Sequence, residues 1–188
     1  MAIPRKPARS PADRADGAPV PAGRVRVTGR MAVDPVLDPG ELAYLSAFCE
    51  SRRWNRPGGP YVVPSNPLAE CVDVTVDVDA FTRPGAGQPS LTCSWLPAEA
   101  GSALVPRDVV GSADEVVAWL TYLREHFLGS GRLVATGAPG VPPFGPHALA
   151  GAVAIADGAS GSLEALLVRD GELKRVLLHP PTADRRSA

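Results

Sequence analysis

Lysine is almost missing from this chain of 188 residues: Lys6 and Lys174 are the only two, and arginine carries the remaining positive charge. Lys and Arg together number 19 against 20 Asp and Glu, a net charge of −1, so no strong field of one sign holds the chain to nucleic acid or to an anionic membrane. Cysteine is scarce as well. Cys49, Cys71 and Cys93 are odd in number and contain no C-x-x-C pair, which reads as reduced thiols of a cytoplasmic protein rather than a disulfide framework or a metal site. The longest stretch without charge, Leu133 to Ala156, is interrupted by Gly137, Pro139, Gly140, Pro142, Pro143, Gly145 and Pro146 and forms no lipid-exposed helix. No apolar run follows the basic residues Arg5, Lys6 and Arg9, so no secretory leader is expected. G-x-G-x-x-G opening a helix, G-x-x-x-x-G-K-[ST] and G-x-S-x-G do not occur, which leaves no cradle for a nucleotide cofactor and no hydrolase elbow. No cofactor is expected.

What the chain does have is 45% hydrophobic positions, enough for one sizeable core, together with 21 Pro and 19 Gly, which predict long loops. The richness in Ala, Gly and Pro with so little Lys points to a bacterial source of high GC content. Residues 1–22 hold almost no large apolar side chain and are expected to be a disordered basic arm. Up to Arg30, seven basic residues (Arg5, Lys6, Arg9, Arg14, Arg24, Arg26, Arg30) face only Asp13 and Asp16. Such an arm could touch phosphate, but solvated termini of this kind are common, and a nucleic-acid partner is disfavoured. Residues 23–179 then read as a single domain and 180–188 as a disordered tail.

Val25, Val27, Met31 and Val33 share one parity and Arg24, Arg26, Thr28 and Arg30 the other, which predicts a half-buried strand. Asp38-Pro39-Gly40-Glu41 is a capping box that starts a helix carrying Leu42, Leu45, Phe48 and Cys49 on its core side. Strict alternation from Cys71 to Asp79 predicts a second strand, whose Asp73, Asp77 and Asp79 would oppose Arg24, Arg26 and Arg30 if it lies beside the first. Leu91, Cys93 and Trp95 alternate into a hairpin with Ala103 to Val105. Ser112 to Glu115 is a second capping box, ahead of Val116, Trp119, Leu120, Leu123 and Phe127 at helical spacing. Ala148 to Ala156 is a further strand, and Arg169-Asp170-Gly171-Glu172 joins two more. The order fits an α+β fold: an antiparallel or mixed sheet of about six strands with two helices packed on one face.

Few side chains converge for chemistry. His126 with Cys93 or Cys71 would make a Cys-His pair, yet Cys93 shares the core-facing parity of Leu91 and Trp95, and His126 suits a helix C-terminus as a cation. His147 and His179 lie beside prolines, in loop and tail, and no two histidines have metal-ligand spacing, so no metal or catalytic residue is assigned. Arg52, Arg53, Trp54 and Arg56, followed by a Pro-Gly-Gly-Pro turn and Tyr61, form the candidate recognition surface, because arginines and aromatics supply binding hot spots. Arg at a helix C-terminus is also ordinary dipole complementation. The leading expectation is a cytoplasmic, non-catalytic binding or adaptor protein that uses this loop on a protein partner. The alternative is a small enzyme or small-molecule-binding protein with a pocket between the sheet and its long loops.

Val27-Thr28-Gly29, Gly87-Gln88-Pro89-Ser90-Leu91-Thr92-Cys93-Ser94-Trp95 and Trp119-Leu120-Thr121-Tyr122-Leu123-Arg124-Glu125-His126-Phe127-Leu128 resemble successive motifs of a family of small uncharacterised bacterial and phage proteins. The resemblance spans about residues 24 to 156 and implies no activity and no residue role. At Val105-Pro106-Arg107-Asp108-Val109 the chain departs from the aromatic and acidic run of such proteins.

Overall fold

A computed structural model describes residues 20–64, 78–133 and 140–182. The expected arm over 1–22 and tail over 180–188 fall almost wholly outside the described residues.

The first strand, β1 (Val25–Asp34), alternates as its parity requires, with Val25, Val27, Met31 and Val33 buried and Thr28, Arg30, Ala32 and Asp34 exposed. Gly29 occupies a core-parity position for a steric reason. Its φ is +124°, and a Cβ there would lie 2.5 Å from the Ala152 carbonyl oxygen. After β1, Asp38 builds the expected capping box: its Oδ1 accepts from the amides of Gly40 (2.7 Å) and Glu41 (2.8 Å), and Glu41 Oε2 accepts from the Asp38 amide (2.7 Å). Helix α1 (Pro39–Glu50) then buries Leu45, Phe48 and Cys49.

The predicted acidic strand falls mostly outside the described residues. Residues 65–77 lie outside the described residues, and the last two predicted strand positions instead open the short helix α2 (Val78–Thr82), whose Phe81 ring packs on Trp54 at 5.7 Å. Both edges of β1 are already occupied. Strand β5 (Ala148–Asp157) pairs along one edge for ten residues, and β3 (Ala103–Pro106) and β4 (Val109–Val110) pair along the other. Arg26 accordingly finds its carboxylate on Asp108, at 3.7 Å, in the corner between β3 and β4.

Strand β2 (Trp95–Pro97) pairs with β3, shorter than the predicted hairpin because residues 91–94 are irregular. Helix α3 (Ala113–Leu123) keeps half of its predicted box: Ser112 Oγ accepts from the Glu115 amide at 3.1 Å, but the Glu115 carboxylate turns to the Ser90 hydroxyl. Ser90 Oγ in turn accepts from Trp119 Nε1 at 2.9 Å, so the diverted acid helps to anchor an indole. A five-residue π-helical segment, Arg124–Leu128, continues α3. The chain closes with β6 (Leu163–Arg169) and β7 (Glu172–His179), joined through Asp170 (φ 52°) and Gly171 (φ 76°), the two positive-φ residues of a type I′ turn.

The sheet order is β2-β3-β1-β5-β6-β7, with β4 paired to β1 and every ladder antiparallel. This is the expected α+β fold. One face carries Val25, Val27, Met31, Val33, Val153, Ile155, Leu166 and Val168 into a single core with Leu45 and Phe48 of α1 and Val116, Trp119, Leu120 and Leu123 of α3. Each fully buried aliphatic side chain there stabilises the fold by roughly 1.5–3 kcal/mol. Among the described residues no element covers the other face, and its centre is a row of small side chains, Ala148, Ala150, Ala152 and Ala154, all exposed.

Candidate functional site

The Arg52–Tyr61 segment leaves α1 through the Ser51 cap and is sewn to the following loop by backbone bonds: Arg53 N–H to Leu91 O (2.8 Å), Gly85 N–H to Arg53 O (3.0 Å) and Asn55 N–H to Arg83 O (3.0 Å). These bonds turn Arg53 inward. Its guanidinium stacks 3.9 Å above the Phe48 ring, donates from Nη1 to Ser51 Oγ (2.8 Å) and from Nη2 to the carbonyls of Pro60 (2.5 Å) and Val62 (3.2 Å), and has no exposed surface. Among the described residues the charge is thus held by carbonyl dipoles, a hydroxyl and a π face, with no carboxylate partner. Burial, and after it the neighbouring Arg56 charge, pushes the Arg53 pKa down to about 10.

Trp54 and Arg56 are also buried; the Arg56 guanidinium lies 4.8 Å from the Trp54 ring and Nη2 donates to Arg52 O at 2.7 Å. Arg52 alone is exposed, 4.7 Å above the Phe81 ring. Tyr61 is half-buried, accepts at its carbonyl from Tyr44 Oη (2.6 Å), and places its own Oη 2.6 Å from His126 Nδ1. Of the five candidate residues the structure therefore brings Arg53, Trp54 and Arg56 into the interior and leaves Arg52 and the rim of Tyr61 toward solvent. The Pro-Gly-Gly-Pro turn, read from the sequence as a flexible neighbour, is the reason. It turns the Pro60 carbonyl in to be shared by Arg53 and Gln88 Nε2 (2.7 Å).

His126 is not the helix-end cation expected of it. Its ring stacks on Tyr122 with centroids 3.8 Å apart, and burial, opposed by the charge of Glu125, holds its pKa below the usual histidine value. Cys49 and Cys93 are free and fully buried, and burial, then the adjacent Cys93, pushes the Cys49 thiol well up. Cys71 lies outside the described residues. His147 is no loop bystander either: it is 6% exposed, with Nδ1 2.6 Å from the Pro35 carbonyl and Nε2 3.2 Å from Glu41 Oε1. Glu41 Oε1 also accepts from the Gly145 amide, so the N-terminal cap of α1 fastens the chain entering β5. Among the described residues no three His, Cys, Asp or Glu side chains could hold a metal ion.

Two further features bear on the site, a cavity where the small-molecule alternative puts its pocket, between the sheet and a long loop, and an apolar edge strand that the sequence reading did not single out. A cavity of about 550 Å³ opens between the sheet and the π-helical segment, lined in part by Asp34, Arg124, Glu125, Gly129, Leu149 and Val168. Edge strand β7 exposes Val176, Leu177 and Leu178 in succession, at 40%, 57% and 56%. The hydrophobic letters of β7 were visible, but its place at the edge depends on strand order, which periodicity does not encode.

No family model, curated protein or solved structure matches the chain. Among the described residues no helix is long and apolar enough to cross a membrane.

Proposed function

We propose that the chain is a non-catalytic binding protein of a reducing, bacterial cytoplasm that takes up an extended segment of a protein partner along the free edge of β7. One observation carries the reading. Among the described residues, β7 ends the sheet, pairs with β6 alone, and shows three of the five exposed large apolar side chains, Val176, Leu177 and Leu178, at consecutive positions. Side chains standing out on both faces of an edge strand, beside a row of unpaired backbone donors and acceptors, complement an added strand. The free buried thiols Cys49 and Cys93 support the compartment. The Arg52–Tyr61 loop enters this reading as scaffold, with Arg52 as its accessible residue.

A photo-crosslinking residue placed at Leu177 or at Arg52 separates the loop from the edge. Adducts with one polypeptide at position 177, abolished by Val176→Pro, support the edge; adducts only at position 52 return the site to the loop. Absence of adducts at both positions removes the reading. The small-molecule alternative is favoured by the cavity beneath the π-helical segment, which has its own chemistry.

A further inference from the structure

We propose that the cavity beneath the π-helical segment binds a small organic amine carried on an apolar body. The site is independent of the β7 edge. Its walls are the end of β1, the start of β5, the end of β6, the β6–β7 turn and the segment Arg124–Gly131, and its volume of about 550 Å³ is that of a small-molecule pocket.

Three sets of contacts hold those walls before any ligand arrives. Arg124 Nη1 donates to the Gly171 carbonyl at 3.1 Å and ties the helix end to the hairpin turn. The His147 amide donates to the Leu128 carbonyl at 2.8 Å, and the His147 ring is fixed by Pro35 and Glu41. The Arg132 amide donates to the Gly129 carbonyl at 3.3 Å and rounds off the loop after the helix. A pocket built this way spends little ordering free energy on binding.

The lining states the chemistry. Leu149 and Val168, both buried, supply an apolar floor with no polar atom in their side chains. Asp34 and Glu125 line the same cavity, and neither carboxylate forms a salt bridge or a side-chain hydrogen bond among the described residues. Arg124 also lines the cavity, and its bond to the neutral Gly171 carbonyl leaves its positive charge in the wall, while the His147 ring is held by Glu41 and Pro35. Two carboxylates against one guanidinium leave the lining with an excess of negative charge beside an apolar floor. An ammonium group answers it with charge-assisted hydrogen bonds while its hydrocarbon covers Leu149 and Val168. A carboxylate on the same body meets two like charges against the single opposite charge of Arg124.

The test is a titration of the full ¹⁵N-labelled chain with benzylamine and, separately, with phenylacetate, which share a ring and differ in charge. Benzylamine is expected to shift the amides of Gly129, Gly131, Ala148 and Gly171 saturably, with a Kd near 1 mM or tighter, and phenylacetate to bind at least about tenfold more weakly. Asp34→Asn combined with Glu125→Gln should weaken benzylamine about tenfold at an unchanged melting temperature, because both side chains are exposed. Equal binding of the two probes, shifts that fail to saturate or fall elsewhere, or no response to either probe overturns the proposal. The comparison of probes needs no variant and stands even if the double substitution unfolds the chain.

Discussion

The Tyr61 hydroxyl and His126 Nδ1 lie 2.6 Å apart across 65 residues of sequence, and the same imidazole stacks on Tyr122. The π-helical segment matters here. It continues α3 past Leu123, buries Phe127 and Leu128, and leaves His126 half-buried between two phenol rings. With its pKa lowered by burial, the ring is neutral at neutral pH and shares one hydrogen bond with the Tyr61 hydroxyl through Nδ1.

That pair predicts an acid-side loss of stability. The folded pKa of His126 lies below the unfolded value of about 6.5, so the unfolded chain binds the proton more readily. The contribution is complete above about pH 6.5 and is lost as pH falls through the folded value. Urea midpoints measured at about pH 7.5 and about pH 5.5 should fall more steeply for the wild type than for His126→Gln. Equal slopes would show that the ring titrates as if exposed.

At the alkaline end the signs reverse. Burial raises Tyr44, Tyr122 (to about 12) and the Cys49 thiol, so each holds its proton in the folded chain after the unfolded chain has lost it. Their stabilisation is complete below the ordinary thiol and phenol range, about pH 8.5 to 10, and is lost as pH rises through the folded values. Arg53, lowered to about 10, acts in the opposite sense above that pH and offsets part of the loss. Melting temperatures should therefore drop from about pH 9 upward, and Tyr122→Phe should flatten the drop.

Arg52 and Arg53, adjacent in sequence, should respond oppositely to the same change. Arg53→Lys replaces a planar fork that reaches Ser51, Pro60 and Val62 with a single ammonium, and a loss of about 2 kcal/mol is expected. Arg52→Lys, on the surface, should stay within about 0.5 kcal/mol. Denaturant titration of the two variants reads the difference directly. Matching losses would mean that Arg53 is not the inward partner.

Much of the architecture could be read from the letters. The parity of Val25, Val27, Met31 and Val33, the Asp38 box and the Asp170-Gly171 turn are local signals whose physics is complete within a few residues. Strand order was not local. The pairing of β1 with β5 joins positions more than a hundred residues apart, so the guess that Asp73, Asp77 and Asp79 answered the arginines of β1 had no local check. The candidate loop shows the same limit from the other side. Arginine and tryptophan are the chemistry of a binding surface and equally of a buried cation held by carbonyls, and only the fold around Pro60 separates the two. His147 and Glu41 each looked satisfied by simpler local roles.

Glycine identity in the central ladder gives a further prediction. A Cβ on Gly29 would meet Ala152 O at 2.5 Å and one on Gly151 would meet Arg30 O at 2.6 Å, both at positive φ. Gly29→Ala or Gly151→Ala must push β1 and β5 apart and should each cost more than about 2 kcal/mol. Gly59→Ala, also at positive φ but with open space around it, should cost about 1 kcal/mol. Thermal unfolding of the three variants ranks them. A Gly59 variant as damaged as the other two would contradict the close approach in the ladder.

Glu41 belongs to a four-residue cap and also to a contact 106 residues downstream. During synthesis the start of α1 emerges first, and its buried carboxylate acquires the Gly145 amide and the His147 ring only when a segment 104 to 106 residues further on has followed. Any chain that stops before residue 145 carries an acid with part of its partners missing, and the opening turn of the first helix is sealed by the arrival of a segment about a hundred residues downstream.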